Sequence, residues 1–187
     1  MLGRKILIYG SIGSGKTTFS RQFFNNLPLI ELDEINRELI EPGNLGYIQL
    51  KKNLSSEYFQ IDGQINKKKL KINLFNDKIF REEIENLLHP LIFDELQNFI
   101  EKKDSYVVIS PLVKMLRKKT KFDLKIKVIC NINDQIKRVK SRDGLGKNII
   151  EKIIAYQENN YELIQPDFIF DSAADLEEQI IQLKSIL

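Results

Sequence analysis

The sequence contains a single cysteine, and no apolar stretch approaches the ~20 residues that a membrane span requires. One cysteine excludes a disulfide framework within the chain and fits a reducing compartment. The apolar run near the N-terminus is only a few residues long, which is too short for a signal peptide. We therefore expect a cytoplasmic protein with no membrane partner.

The chain also lacks a strong excess of charge of either sign. Its 29 Lys and Arg residues nearly balance 26 Asp and Glu residues, which gives a net charge of +3. This excess is too small to predict a nucleic-acid partner, although polyanionic small ligands such as nucleotides stay compatible. The basic clusters at 67–69 and 117–119 are expected to be solvated surfaces. With 187 residues and 42% hydrophobic content, the chain is long and apolar enough for one packed domain.

The most informative stretch is Gly10-Ser-Ile-Gly-Ser-Gly-Lys-Thr17, which fits the phosphate-loop pattern of glycine, four residues, glycine, lysine and serine or threonine. A buried strand is predicted before it and a helix after it, and this is the context that the motif requires. Glycines let the backbone turn tightly and approach a ligand, and the N–H groups of the loop and of the helix N-terminus favour an anion. Lys16 adds a positive charge for the outer phosphates, and the Thr17 hydroxyl is a candidate ligand of Mg²⁺. The candidate nucleotide-binding residues are Ser11, Ile12, Gly13, Ser14, Gly15, Lys16, Thr17 and Thr18.

Five short apolar runs alternate with helical patterns along the chain. They predict strands at Lys5–Tyr9, Leu29–Leu32, Tyr106–Ile109, Leu124–Cys130 and Phe168–Phe170. Strands that alternate with helices predict an α/β fold in which helices cover both faces of a parallel sheet. The residues between the second and third strands are predicted to form a largely helical insertion.

Three local patterns give more detailed expectations. Asp33 stands at the end of the second strand, in the position of a helix N-cap. His89-Pro90 is expected to interrupt the helix that begins at Asp77, because the residue before a proline is pushed out of the helical region. A long helix is predicted over Lys147–Ile164, after a flexible joint at 142–146.

Asp33 and the phosphate loop are expected to face one crevice, because ligands gather at the carboxyl ends of parallel strands. Asp33 can also act only as a helix cap. Arg138 and Arg142 lie one helical turn apart, so both can face the same ligand, or both can be surface arginines paired with acids.

The chain resembles the dephospho-CoA kinases from about Lys5 to about Ser172. Besides the phosphate loop, the segments that carry the resemblance are Leu32-Asp-Glu-Ile-Asn-Arg-Glu-Leu-Ile-Glu-Pro-Gly43, Leu87-Leu-His-Pro-Leu-Ile92, Ser110-Pro-Leu-Val113, and the positions Gln135, Arg138, Arg142 and Gln157. The chain departs from the family at Ser11, where glycine is usual, at Lys67, where arginine is usual, and at Lys114-Met115, where an acidic residue is usual.

The resemblance implies a P-loop NTPase fold of three α/β/α layers, similar to the nucleoside-monophosphate kinases, with a five-stranded parallel sheet. It also implies one kinase domain with a core at about 1–33, 104–141 and 165–187. A helical substrate-binding insertion would occupy about 34–103, and a lid about 142–164. The implied partner is a small-molecule substrate, and the implied assembly is a monomer or a weak homo-oligomer.

The implied reaction is transfer of the ATP γ-phosphoryl group to the ribose 3′-hydroxyl of dephospho-CoA, with ATP and Mg²⁺ bound. The resemblance assigns catalysis to Lys16, Asp33 and Arg138, further ATP contact to Arg142, and Mg²⁺ to Thr17. The implied substrate-binding residues are Asp33, Arg37, Lys67, Leu74 and His89. His89 suits a core or capping role at least as well. Two alternatives stay open, namely another small-molecule kinase of the same architecture and a non-catalytic nucleotide-binding module.

Overall fold

The computed structural model describes residues 4–113, 116, 120–161 and 164–186. Lys114-Met115, where the sequence departs from the family pattern, therefore lies outside the described residues. The chain forms two compact units. The first takes in the residues up to Ile30 and from Asp104 onward, and the second is Glu31–Lys103, which contains the predicted insertion. Within the described ranges, no helix is long and apolar enough to cross a membrane.

A five-stranded parallel sheet organises the first unit, as predicted. Its strands are β1 (Lys5–Tyr9), β2 (Leu29–Glu31), β3 (Tyr106–Ser110), β4 (Leu124–Ile129) and β5 (Phe168–Asp171). They lie in the order β2-β3-β1-β4-β5, and the central strand β1 pairs in parallel with β3 and β4. Tyr9 is opposite Ser110 in this register, so the phosphate loop leaves the sheet at its carboxyl edge.

Eight α-helices lie within the described residues. They are α1 (Lys16–Phe23), α2 (Leu32–Leu39), α3 (Leu45–Asn53), α4 (Lys67–Asn76), α5 (Lys78–Ile100), α6 (Ile132–Asp143), α7 (Lys147–Asn159) and α8 (Leu176–Ile186). In addition, Ser56–Tyr58 form one turn of 3₁₀-helix. Helices α2 to α5 belong to the second unit, where α5 packs against α2, α3 and α4.

The core of the first unit follows from the alternation of side chains along β1. Ile6 and Ile8 point to one face, where they pack with Phe19 and Phe24 from the α1 region and Leu183 of α8. Leu7 and Tyr9 alternate with them and point to the opposite face. There the ring of Tyr9 meets the ring of Tyr161, just beyond α7, with 5.2 Å between the ring centroids. Helical segments therefore cover both faces of the sheet, and the layered α/β prediction is confirmed.

The predicted break at His89-Pro90 is wrong, because α5 runs through it as one helix of 23 residues. Pro90 cannot donate the helical hydrogen bond to the carbonyl of Asn86. Both residues are exposed, so water can satisfy that carbonyl. The buried residues Ile84, Leu88, Ile92 and Leu96 are spaced four apart on both sides of the proline and hold the helix on its core.

Two helix ends also differ from the predictions. Helix α2 has Glu31 rather than Asp33 as its N-cap residue, because Leu32 is buried and already helical, which puts Asp33 in the first turn. Helix α7 ends at Asn159 rather than Ile164, since the Asn160 side chain donates to the Tyr156 carbonyl at 2.6 Å and closes the helix there. The joint predicted at 142–146 is shorter than expected, because α6 continues to Asp143.

Candidate active site

The phosphate loop, Gly10–Thr17, has a backbone that only glycine allows at three positions. Gly10, Gly13 and Gly15 have φ angles of 154°, 77° and 100°. A Cβ atom at Gly10 would overlap the Val128 carbonyl oxygen, and one at Gly13 would lie 3.0 Å from the Gln135 carbonyl oxygen. The loop is therefore pressed against β4 and α6, and a side chain at either glycine would push it away.

The second half of the loop leads directly into α1. Gly15 is the N-cap residue of this helix in the left-handed conformation, and Lys16 is its first residue. A helix N-terminus favours an anion, because the peptide dipoles and the N–H groups of the first turn point toward it. Lys16 is only 8% exposed, and its ammonium group donates to the Ser11 carbonyl at 3.1 Å. Its charge thus lies within the loop.

Two buried glutamines hold the first half of the loop. The Ser11 hydroxyl donates to Gln135 Oε1 at 2.8 Å, and Gln135 Nε2 donates to the Cys130 carbonyl at 2.8 Å. The Ile12 N–H donates to Gln157 Oε1 on α7, also at 2.8 Å. The loop is therefore attached to the end of β4, to α6 and to α7.

Arg138 is beside the loop, and Arg142 makes a different contact. Arg138 Nη1 donates to the Gly13 carbonyl at 3.1 Å and lies 3.7 Å from where a Cβ on Gly15 would be. Arg142 follows one turn later on α6 and forms a salt bridge with Asp143 at 2.6 Å. Arg142 is largely exposed, and of the two arginines it is Arg138 that donates to a carbonyl of the phosphate loop.

Tyr9, the residue before the loop, adds a neutral polar group under it. Burial raises the pKa of the Tyr9 hydroxyl from 10.0 to about 12, with smaller contributions from the carboxylates of Asp167 and Glu158. The hydroxyl donates to the Ile164 carbonyl at 3.3 Å. Tyr9 therefore stays protonated at neutral pH and links the end of β1 to the segment after α7.

In the second unit, Asp33 and Arg37 share one side of α2. Both are exposed, with Asp33 in the first turn and Arg37 in the last turn. Residues four positions apart on a helix are neighbours on its surface. A carboxylate in the first turn is favoured by the helix dipole, so Asp33 suits its position on local grounds as well.

The other predicted substrate residues of the second unit are held in different ways. Lys67 begins α4 and forms a salt bridge with Glu41 at 2.5 Å. Leu74 is half-buried, and its carbonyl accepts a hydrogen bond from Arg81 at 2.9 Å. His89 is half-buried within the unbroken helix α5, so the capping role at a helix break no longer applies to it.

Nothing in the described part of the chain resembles a preformed metal cage, since no three His, Cys, Asp or Glu side chains there cluster as metal ligands. Mg²⁺ usually keeps several waters and takes one or two protein oxygens together with substrate phosphates. The half-buried Thr17 hydroxyl, in the first turn of α1, is an oxygen donor of that kind. The donor set therefore fits a metal ion that arrives with a nucleotide.

Gln135 and Gln157 belong to the family resemblance, and the sequence also contains a signal for their role as loop supports. Gln135 is 5% exposed and Gln157 is 7% exposed. Gln157 continues the apolar face that Ile150, Ile153 and Ile154 form on α7. An amide on the buried face of an amphipathic helix indicates a hydrogen-bond partner, because an unpaired buried amide is costly. The sequence could not identify that partner.

Comparison with known proteins gives a consistent result. Residues 5–178 match the sequence model of the dephospho-CoA kinases. The chain is 33% identical over 186 residues to a dephospho-CoA kinase of Hydrogenovibrio crunogenus, which covers 95% of this chain and 93% of that protein. It is 32% identical over 194 residues to a dephospho-CoA kinase of Clostridium tetani, with 97% and 84% covered.

Solved structures are similar in fold. TT1252 from Thermus thermophilus superposes with a TM-score of 0.73 at 18% identity and covers all of this chain and 97% of its own. A dephospho-CoA kinase from Campylobacter jejuni gives 0.57 at 19% identity, with 96% and 94% covered. A shikimate kinase from Acinetobacter baumannii gives 0.54 at 16% identity, with 98% and 93% covered, so the fold by itself does not select the acceptor.

Proposed function

The chain belongs to the dephospho-CoA kinase family, and from this premise we propose that it transfers the γ-phosphoryl group of ATP to the ribose 3′-hydroxyl of dephospho-CoA. The products are coenzyme A and ADP. The observation that carries the proposal is the family match over residues 5–178, which includes both the phosphate loop and the helical unit. Phosphoryl transfer depends mainly on positioning and on charge neutralisation, so the roles of the residues are electrostatic.

The phosphate loop holds the triphosphate. Within Ser11–Thr18, the N–H groups of Ile12 and Ser14 bond to Gln157 and to the Ser11 carbonyl. The other backbone N–H groups of this segment, at the N-terminus of α1, bind the phosphate oxygens. Lys16 exchanges its contact with the Ser11 carbonyl for the β- and γ-phosphates. Mg²⁺, when bound, neutralises phosphate charge, and Thr17 is the residue that would hold it.

Arg138 stabilises the negative charge that spreads over the transferring group. Its guanidinium already lies along the loop, where it donates to the Gly13 carbonyl. Arg142 has to leave Asp143 before it can contact the nucleotide. The predicted lid spans about 142–164. Because Glu158 and Tyr161 attach its C-terminal end to the sheet, we assign the change to closure of its N-terminal part, with Gly144 and Gly146 as the hinge. Such closure excludes water from the reacting phosphate.

Asp33 orients the acceptor hydroxyl and takes its proton late in the transfer. It follows Glu31, the last residue of β2, by only two positions. A carboxylate is a weak base toward a free alcohol, since their pKa values are far apart. Orientation is therefore its larger contribution, and the proton moves once the new phosphate bond has begun to form.

The helical unit recognises the remainder of dephospho-CoA. Arg37 and Lys67 meet its phosphates, and Lys67 exchanges the exposed carboxylate of Glu41 for a phosphate oxygen. Leu74 and His89 line the path of the pantetheine arm. Binding energy from these remote groups orients the 3′-hydroxyl, so truncated acceptors lose kcat as well as affinity. We expect no nucleic-acid or membrane partner, a monomer or weak homo-oligomer, and a cytoplasmic location.

An acceptor screen tests the proposal. ADP release with ATP and Mg²⁺ is measured for dephospho-CoA, AMP, adenosine, shikimate and gluconate, and mass spectrometry verifies the addition of one phosphate. We expect kcat/KM for dephospho-CoA to exceed that for every other acceptor by a wide margin, because among these five compounds it alone carries both a pyrophosphate and a pantetheine arm. Lys16→Ala protein, prepared in the same way, controls for contaminating kinases.

Two other results would replace the proposal. A higher kcat/KM for AMP, adenosine or a sugar would make the protein another small-molecule kinase. Binding of ATP without turnover of any acceptor would make it a non-catalytic nucleotide-binding module.

A further inference from the structure

The contact between Ile12 and Gln157 joins the phosphate loop to α7 across 145 positions of sequence. The Ile12 N–H donates to Gln157 Oε1 at 2.8 Å. Gln157 lies on the buried face of α7 and is 7% exposed. A buried carboxamide among apolar neighbours is costly unless it is hydrogen-bonded. The arrangement in which Gln157 accepts from Ile12 is therefore favoured over arrangements that separate the two groups.

The Ile12 N–H is one of the two central N–H groups that the loop's own turn does not use. Ser14 N–H donates to the Ser11 carbonyl at 3.1 Å, which closes a turn over Ser11–Ser14. The hydrogen bond of such a turn joins its first and last residues and does not use the N–H of the second residue, here Ile12. Gln157 supplies the acceptor for this group. Without it, the turn would have to rotate Ile12 toward water or leave a partly buried donor unsatisfied.

Gln157 is a rigid support because the end of α7 is attached to the sheet by several contacts. Glu158 accepts from Lys127 of β4 at 2.7 Å. The Tyr161 hydroxyl donates to the Pro111 carbonyl at 2.8 Å, beyond the end of β3. The Tyr161 ring also packs edge-on against that of Tyr9 in β1. The acceptor for Ile12 is therefore fixed relative to β1, β3 and β4.

We infer that Gln157 is a positioning residue that keeps the first turn of the phosphate loop in its nucleotide-binding conformation. This inference rests on the proposed role of the loop as the ATP site. Gln157 acts through the Ile12 amide and contacts neither the nucleotide nor the acceptor. When only a fraction of the free protein has the competent loop, the apparent dissociation constant for ATP rises by the inverse of that fraction.

The first measurement compares the wild type with Gln157→Leu, which keeps the bulk of the side chain and removes the acceptor. An unsatisfied, partly buried N–H is expected to weaken binding of a non-hydrolysable ATP analogue roughly 5- to 100-fold. KM for ATP should rise in parallel, while kcat at saturating ATP stays within about twofold, because bound nucleotide restores the loop. Exchange of the Ile12 amide proton, followed by NMR, should accelerate at least about tenfold.

Matched variants separate this role from general destabilisation. Gln179→Leu removes another buried carboxamide from the same unit, one whose Oε1 accepts from the Asp171 N–H at 2.7 Å. It should leave Ile12 exchange at the wild-type rate. Gln157→Glu keeps an acceptor oxygen and should restore the protection of Ile12, whereas Gln157→Asn is too short to reach and should not.

Wild-type nucleotide affinity and wild-type Ile12 exchange in folded Gln157→Leu would overturn the inference. So would an equal acceleration of Ile12 exchange in Gln179→Leu. If Gln157→Leu does not fold, the comparison of Gln157→Glu with Gln157→Asn tests the inference. Equal exchange rates of the Ile12 amide in both variants would count against Gln157 as a positioning residue. Analogue binding and Ile12 amide exchange need no acceptor, so failure of dephospho-CoA as the acceptor would leave these two results standing.

Discussion

Three side chains that hold the phosphate loop in the first unit are buried, whereas the charged side chains proposed to meet the acceptor in the second unit are exposed. Gln135, Gln157 and Lys16 are 5%, 7% and 8% exposed and hydrogen-bond to the loop. The side chains of Lys67 and Glu41 are 45% and 44% exposed and pair with each other. One site is thus organised before its ligand binds, and the other contains charges that can exchange partners.

This difference follows from what each site has to recognise. A phosphate group is small, so a loop that is already shaped binds it without further ordering of side chains. An exposed lysine–carboxylate pair contributes only about 0–1 kcal/mol in water, so a phosphate oxygen can readily replace its carboxylate. Substitutions in the loop should therefore change the parameters for ATP, and substitutions in the helical unit should change those for the acceptor.

Lys16→Ala should break the organised site and give the largest combined loss, since both kcat and ATP binding fall. It removes the buried charge of the loop together with the contact to the Ser11 carbonyl. Loss of one preorganised electrostatic group lowers kcat by roughly 10²–10³, and weaker ATP binding adds to this loss in kcat/KM. Steady-state kinetics and ATP-analogue binding measure the two parts. Lys137→Ala, an exposed lysine on α6, is the control, and full activity in folded Lys16→Ala would contradict the assignment.

Asp33→Asn tests whether the second unit contributes to chemistry as well as to binding. We expect kcat to fall by roughly 10²–10⁴, the usual contribution of a positioned acid–base group, with ATP affinity within a few fold of the wild type. Glu34→Gln changes the next carboxylate of the same exposed turn and serves as the control. An equal loss of ATP affinity in Asp33→Asn would indicate a metal-binding or structural role instead.

Gly13→Ala should damage the loop without removing any charged group. The added Cβ would lie 3.0 Å from the Gln135 carbonyl oxygen in a backbone with φ of 77°. Such strain amounts to about 1–3 kcal/mol, so we expect the dissociation constant for ATP to rise by about tenfold or more. Gly43→Ala is matched to it, because Gly43 has φ of 94° with nothing within 4 Å of an added Cβ. Calorimetric titration should show weaker ATP binding only for Gly13→Ala.

Lys67→Ala should have a smaller effect, limited to the acceptor. Removal of one exposed, exchangeable charge is expected to raise KM for dephospho-CoA by about two- to tenfold, with KM for ATP unchanged. Because the contact is electrostatic, the difference from the wild type should shrink as salt is added. Lys68→Ala, the exposed neighbour on α4, provides the comparison. A change in KM for ATP alone would contradict the division between the two units.

The smallest effect concerns Tyr9 and appears only at high pH. Its pKa is raised from 10.0 to about 12 in the folded protein, mainly by burial. Between these two values the unfolded chain loses a proton that the folded chain keeps, so this hydroxyl lowers stability as pH rises from 10 to 12. Tyr9→Phe should unfold with a shallower pH dependence in that window. An ultraviolet difference titration of wild type minus Tyr9→Phe measures the pKa directly, and a midpoint near 10 would contradict the burial argument.

The sequence by itself determined the sheet, the phosphate loop and the identity of the family. These features are local: each strand is a short apolar run, and the loop needs glycines at fixed spacing before a helix. It also indicated Lys16 and Arg138 as candidate site residues, from the motif and from the family pattern. Both contact the loop in the structure, and their roles stay predictions. Local rules failed at Pro90, where buried residues on both sides of the proline hold one continuous helix.

Only the tertiary structure decided what supports the loop and how the charged residues are paired. The Ser11–Gln135 and Ile12–Gln157 contacts join positions 124 and 145 residues apart, and no sequence spacing predicts which helix face meets the loop. The pairing of Lys67 with Glu41 likewise joins positions 26 residues apart, with α3 between them, so it depends on how α4 packs. A motif specifies which backbone shapes and charges are possible, whereas packing fixes the partner of each buried polar group, because every such group must find a hydrogen bond within the folded chain.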